Sequence, residues 1–107
     1  MVRIQVFHNQ ECDFWQHAWK LLEDFIREKG LAAKLEEVLI ADDEEASKYH
    51  FFGSPQIMIN GEDIDPEARR VTNFHAGGCR PYFYKGKHYD YPPMPMIEDA
   101  ISRITRV

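Results

Sequence analysis

Cys12 and Cys79 are the only cysteines among 107 residues, and they are the side chains best suited to covalent chemistry. A thiol reacts as thiolate, and the N–H groups and dipole at the start of a helix stabilise that anion. Cys12 stands just ahead of an apolar stripe that begins at Phe14, so it lies at such a start. Glu11 and Asp13 flank it, and their charge works against ionisation. His8 and His17 are near enough in sequence to act as bases, although a histidine beside a strand or on a helix is more often structural or solvent-facing. Two readings of Cys12 therefore stand: a nucleophile for redox or ligand chemistry, or a small buried apolar residue. Cys79 follows Gly77-Gly78, a pair that lets the backbone approach a neighbouring element closely. Two thiolates could also hold a soft metal ion, with His75, four positions before Cys79, as a further ligand. The chain has no Cys-x-x-Cys pair, and its other candidate ligands are scattered, so no metal site is assigned.

The composition narrows the setting of these thiols. Two cysteines are too few to staple a secreted scaffold, and a reducing compartment keeps an ordinary pair as thiols. With 44% hydrophobic and 29% charged residues, residues 1–107 are expected to form one domain around one core. Thirteen Lys and Arg against eighteen Asp and Glu leave a net charge of −5, which argues against nucleic acid as a partner. No apolar run approaches the roughly 20 residues needed to cross a bilayer. Met1 to Gln10 lacks the basic lead and apolar stretch of a signal peptide, and the expected location is cytoplasmic, away from membranes.

Val2, Ile4 and Val6 alternate with polar residues and predict a strand over 2–7. From Phe14, apolar residues recur at spacings of three and four, predicting a helix to about Lys29, with Gly30 ending it. Residues 34–40 read as a second strand, and Asp42 with Glu45 has the spacing of a capping pair for a short helix over 43–49. Pro55 opens a third strand that Asn60-Gly61 turns back into a fourth, beginning over 62–64. Periodicity then disappears between Asp65 and Gly78, where a loop with room for one helical turn is expected. Residues 81–91 hold four tyrosines and a phenylalanine around Lys85-Gly86-Lys87 and read as an aromatic hairpin. One face of that hairpin is expected to join the core and the other to be free for a partner or small molecule. Ile97, Ala100, Ile101 and Ile104 follow a run of prolines and form a last amphipathic helix. The order β-α-β-α-β-β-α calls for a mixed four-stranded sheet flanked by helices.

A strand that delivers a cysteine to the first helix, with a proline opening the third strand, resembles the thioredoxin fold. The segment Gly53-Ser54-Pro55-Gln56-Ile57-Met58-Ile59-Asn60-Gly61-Glu62-Asp63-Ile64 is similar to the corresponding stretch of glutaredoxins. The pattern Cys12-Asp13-Phe14-Trp15, Gly53-Ser54-Pro55 and Gly78-Cys79-Arg80 also resembles a group of small bacterial thioredoxin-like proteins. The resemblance implies a thioredoxin-like α/β fold and a cis Ser54-Pro55 bond beside Cys12. It further implies that Pro55 and the Ser54 backbone align a substrate as an added strand. This chain departs from the dithiol pattern in carrying Trp15 where the second cysteine would stand, so a disulfide across one helical turn is excluded. Trp15 is then either a packing residue on the helix face or a substrate platform.

The expected function is thiol-disulfide exchange with Cys12 as nucleophile. If the two Cα atoms lie within about 7 Å, Cys79 is the resolving thiol; if not, it is a packing residue. Glutathione could take the resolving role as co-substrate, and the partner would be a thiol- or disulfide-containing protein or small molecule. The alternative is a non-catalytic module of the same scaffold that binds a protein partner or a soft metal near Cys12.

Overall fold

Ile4 and Val6 point to one face of strand β1 (Val2–His8) and Phe7 to the other, and a separate apolar cluster forms on each face. The computed structural model describes residues 1–105. Strand β2 (Ala33–Leu39) runs parallel to β1, in a register from Val2 opposite Ala33 to His8 opposite Leu39. A parallel pair needs a crossover, which helix α1 (Trp15–Lys29) supplies. Strands β3 (Gln56–Ile59) and β4 (Glu62–Asp63) complete a mixed sheet in the order β2-β1-β3-β4, with β3 antiparallel to both neighbours. Asn60 and Gly61 both take positive φ angles, 50° and 83°, as the tight turn between β3 and β4 requires.

Ala18 and Leu22 of α1 pack with Met96, Ile97, Ala100 and Ile101 of the last helix, α3 (Met94–Ile104), over Ile4, Val6, Ile57 and Ile59. Each fully buried isoleucine removes enough apolar surface from water to contribute roughly 1.5–3 kcal/mol, so this face carries most of the core. Helix α2 (Asp43–Tyr49) covers the other face, where Ala46 meets Phe7, Ile40 and Phe51. Its capping pair forms as the spacing predicts: Asp42 accepts a hydrogen bond from the Glu45 N–H at 2.8 Å.

The four-stranded mixed sheet and three flanking helices agree with expectation, and so does the aromatic hairpin. Strands β5 (Tyr82–Tyr84) and β6 (Lys87–Tyr89) form a small sheet of their own, with Tyr82 in the core and Phe83 68% exposed. The loop after β4 contains one 3₁₀ turn, Pro66–Arg70, where the Asp65 carboxylate accepts from the Glu67 N–H. Boundaries shift by a few residues. Phe14 is the capping position of α1 and not its first turn, Ile40 lies beyond β2, and Ile64 lies beyond β4. Helix α3 starts at Met94 because Pro95 sits in its first turn, where a missing N–H costs nothing. The Ser54–Pro55 peptide bond is cis, as the resemblance implied.

Candidate functional site

The turn after β1 is organised by Asn9, which is 5% exposed. Its Oδ1 accepts hydrogen bonds from the N–H groups of Glu11, at 3.1 Å, and Cys12, at 3.0 Å. A short amide side chain can reach backbone donors two and three residues onward, and it fixes the approach to α1 here. The Asn9 Nδ2 donates to the carbonyls of Ala76 and Gly78, both at 2.8 Å. One buried side chain thus holds the two segments that carry the cysteines. The Glu11 carboxylate adds a bond from the Gly78 N–H at 3.2 Å, and Asp43 Oδ1 accepts from the Ala76 N–H at 2.8 Å.

On its other side the Cys79 segment lies along the residues that lead into β3. Ser54 N–H donates to the Gly78 carbonyl at 3.1 Å, and Arg80 N–H donates to the Ser54 carbonyl at 2.9 Å. The Cys12 and Cys79 Cα atoms are 5.7 Å apart, and a disulfide joins the two sulfurs. The condition for pairing is met, and both cysteines are bonded. Their surroundings differ: Cys12 is 2% exposed, whereas Cys79 is exposed at the surface.

Arg80 anchors the segment from within. It is 3% exposed, and its guanidinium donates to both oxygens of Asp63 at 2.8 Å, in the bidentate geometry that suits a buried pair. The same group lies 4.2 Å from the Phe52 ring centroid and 4.7 Å from that of Tyr82. Burial works against its charge, but Tyr82 and Asp63 outweigh that and hold its pKa above the ordinary value. Gly53, at φ 144°, leaves room for this arrangement, since a Cβ there would stand 2.8 Å from the Arg80 Cβ. The Tyr82 hydroxyl donates to the Pro55 carbonyl, and burial pushes its own pKa up.

Ser54 and Pro55 are buried, and both backbone groups of Ser54 are taken by residues of the same chain. Residues 78–80 lie along Ser54 as its parallel bridge partner. The Ser54 Oγ is buried without a hydrogen-bond partner among the described residues. Trp15 is half-buried against the core and stacks on the His8 ring, with centroids 3.9 Å apart and planes 11° from parallel. It packs against the core through one part of its surface. His8 Nε2 lies 2.8 Å from Glu37 Oε2, and its Nδ1 faces the Asn9 carbonyl at 3.4 Å, which leaves neither nitrogen free to serve Cys12. His17 stacks on Tyr91, and His75 turns its Nδ1 to the Gly77 carbonyl. No group of three or more His, Cys, Asp or Glu side chains placed to hold a metal is found among the described residues.

Asn9, Asp63 and Arg80 were not singled out as site residues by the sequence. Asn9 carries a local signal, because an Asn in a turn can accept from the N–H groups two and three residues onward. The Asp63–Arg80 pair crosses from β4 to a distant loop, and no local pattern marks it.

These features define an α/β protein whose β1–α1 turn is cross-linked to the loop ahead of its aromatic hairpin. The family model described as a domain of unknown function (DUF2703) matches residues 2–101, and the chain belongs to that family. No curated protein and no solved structure matches the chain. No helix among the described residues is long and apolar enough to cross a membrane.

Proposed function

We propose that this chain is a thioredoxin-like thiol-disulfide exchange protein that cycles between the Cys12–Cys79 disulfide and two thiols. The fold reading is supported by the strand order β2-β1-β3-β4, by a cysteine at the β1–α1 junction, and by Gly53-Ser54-Pro55 leading into β3. The observation that carries the functional reading is the 5.7 Å separation of the two Cα atoms, held by bonds that do not depend on sulfur. Asn9 and the Ser54 backbone join the two segments through hydrogen bonds that involve neither sulfur. Such a pair can open to an outside thiol and close again without rebuilding the fold.

The cycle needs two exchanges. A first outside thiolate attacks the disulfide, forming a mixed disulfide and releasing one protein thiolate. A second outside thiolate attacks the mixed disulfide, leaving the protein with two thiols and the partner as a disulfide. Two electrons pass to the protein, and the reverse sequence returns them. The partner is a small molecule or protein bearing a thiol or disulfide, and glutathione has the required chemistry.

The test is equilibration of the folded protein in buffers of graded reduced-to-oxidised glutathione ratio, followed by acid quenching, alkylation and mass measurement. A reversible passage between zero and two alkylated cysteines, with the fold retained by circular dichroism, is expected. A disulfide that opens only when the protein unfolds would mark a structural cross-link and overturn the proposal.

A further inference from the structure

The two sulfurs of the disulfide are not equivalent. Cys12 is 2% exposed, whereas Cys79, in the middle of the segment that Asn9 and Ser54 hold in place, is exposed. Exchange requires the incoming thiolate to reach one sulfur, and the other leaves. We infer that Cys79 is the sulfur that exchanges with the outside partner and that Cys12 is the buried leaving and resolving thiol. This inference rests on the exchange reading above, and it reverses the roles expected from the sequence, where Cys12 was the nucleophile.

The surroundings of Cys12 suit a leaving group. Helix α1 begins with no side-chain cap and no acidic residue in its first turn, so the positive end of its dipole is left to the cysteine two residues before Phe14. A thiol whose anion is stabilised leaves faster. Glu11 and Asp13 flank Cys12 with opposing charge, and the Glu11 carboxylate is drawn to the Gly78 N–H. Cys79 has the complementary setting, next to glycines at an open loop.

In the reductive direction the glutathione thiolate attacks the Cys79 sulfur. The bond to Cys12 breaks, and its electron pair departs on Cys12, which is then protonated from water. A second glutathione thiolate attacks the glutathione sulfur of the mixed disulfide, forming glutathione disulfide and freeing the Cys79 thiolate. In the oxidative direction the Cys79 thiolate attacks a disulfide, and Cys12 then displaces the outside thiol.

The oxidised wild-type protein is mixed with limiting glutathione, quenched with acid within the first turnover, alkylated and mapped by peptide mass. Glutathione on Cys79 with the alkyl group on Cys12 is expected, in at least about tenfold excess over the opposite arrangement. Glutathione on Cys12, or on both equally, would overturn the assignment while leaving the exchange reading intact. A protein that no thiol opens while folded would overturn both. The single variants give an independent measure. In Cys12→Ser the remaining thiol should take glutathione from glutathione disulfide at least about tenfold faster than the thiol of Cys79→Ser. That difference should vanish in denaturant, and equal rates in the folded proteins would count against the assignment.

Discussion

Ser54 and Cys79 are neighbours across a single parallel bridge, the Ser54 N–H bonded to the carbonyl before Cys79 and the Ser54 carbonyl to the N–H after it. Ser54 acts through its backbone, and its buried hydroxyl has no partner among the described residues. Ser54→Ala is therefore expected to leave disulfide formation unchanged and to alter stability by no more than about 1 kcal/mol, in the stabilising direction if at all. Urea unfolding and thiol titration check both. A loss of pairing in this variant would assign the hydroxyl a role at the sulfurs.

Gly53→Ala should behave quite differently. The added methyl would meet the Arg80 Cβ at 2.8 Å, at a φ of 144° that side chains rarely adopt. A cost of about 2–4 kcal/mol is expected, because the clash with the Arg80 Cβ and backbone adds to the strain of a side chain at that φ. Gly86→Ala, also at positive φ but with open space around it, is the control and should cost about 1 kcal/mol. Equal losses would show that crowding at Arg80 is unimportant.

Asn9→Ala removes four hydrogen bonds from a buried position and leaves the Ala76 and Gly78 carbonyls without their shared donor. Destabilisation of roughly 2–4 kcal/mol is expected, with slower closure of the disulfide in an oxidising glutathione buffer. Asn9→Asp keeps the acceptor for Glu11 and Cys12 but sets an oxygen against two carbonyls. Its closure rate should fall at least as far as that of Asn9→Ala. Normal closure in Asn9→Asp would show that the amide does not position the Cys79 segment.

Reduction of the wild-type protein is expected to lower its melting temperature by more than about 10 °C. A cross-link spanning 67 residues restricts the unfolded chain by roughly 4 kcal/mol in the chain-entropy model, and a domain of this size loses several degrees per kcal/mol. Scanning calorimetry with and without a reductant measures the shift, and Cys79→Ser should show no response to the reductant.

Tyr82 is expected to contribute to the loss of stability at alkaline pH. Burial raises its pKa above the ordinary 10.0, so below pH 10 the hydroxyl is protonated in both folded and unfolded chains and its contribution is complete. As the pH rises past 10 the unfolded chain releases this proton first, and stability falls towards the folded pKa. Urea unfolding at about pH 8 and about pH 11 should show a steeper loss for wild type than for Tyr82→Phe. Parallel losses would assign the alkaline sensitivity to other groups.

The sheet and the helices were legible because their signals are local. The alternation of Val2, Ile4 and Val6, the Asp42–Glu45 spacing and Asn60-Gly61 each act within a few residues. The two cysteines stood out by type, and Gly77-Gly78 announced a close approach that the Asn9 and Glu11 bonds to Gly78 fulfil. What faces what across 67 residues has no such signal. The reversed exposure of Cys12 and Cys79 depends on how the segment from Ala76 to Arg80 lies over the β1–α1 turn. Nothing local to Arg80 marks it as buried, because its enclosure comes from Asp63, Phe52 and Tyr82 on other segments.

The cross-link also turns the oxidised chain into a closed ring with two tails. Helices α1 and α2 and strands β2, β3 and β4 all lie inside the ring, and a force applied at the two ends passes from β1 through the sulfurs straight to the hairpin and α3. Fully stretched, the oxidised molecule would be shorter than the reduced one by the contour of 67 residues, roughly 230 Å at about 3.5 Å per residue. Its redox state could therefore be read in a single-molecule pulling record as the length of one unfolding step.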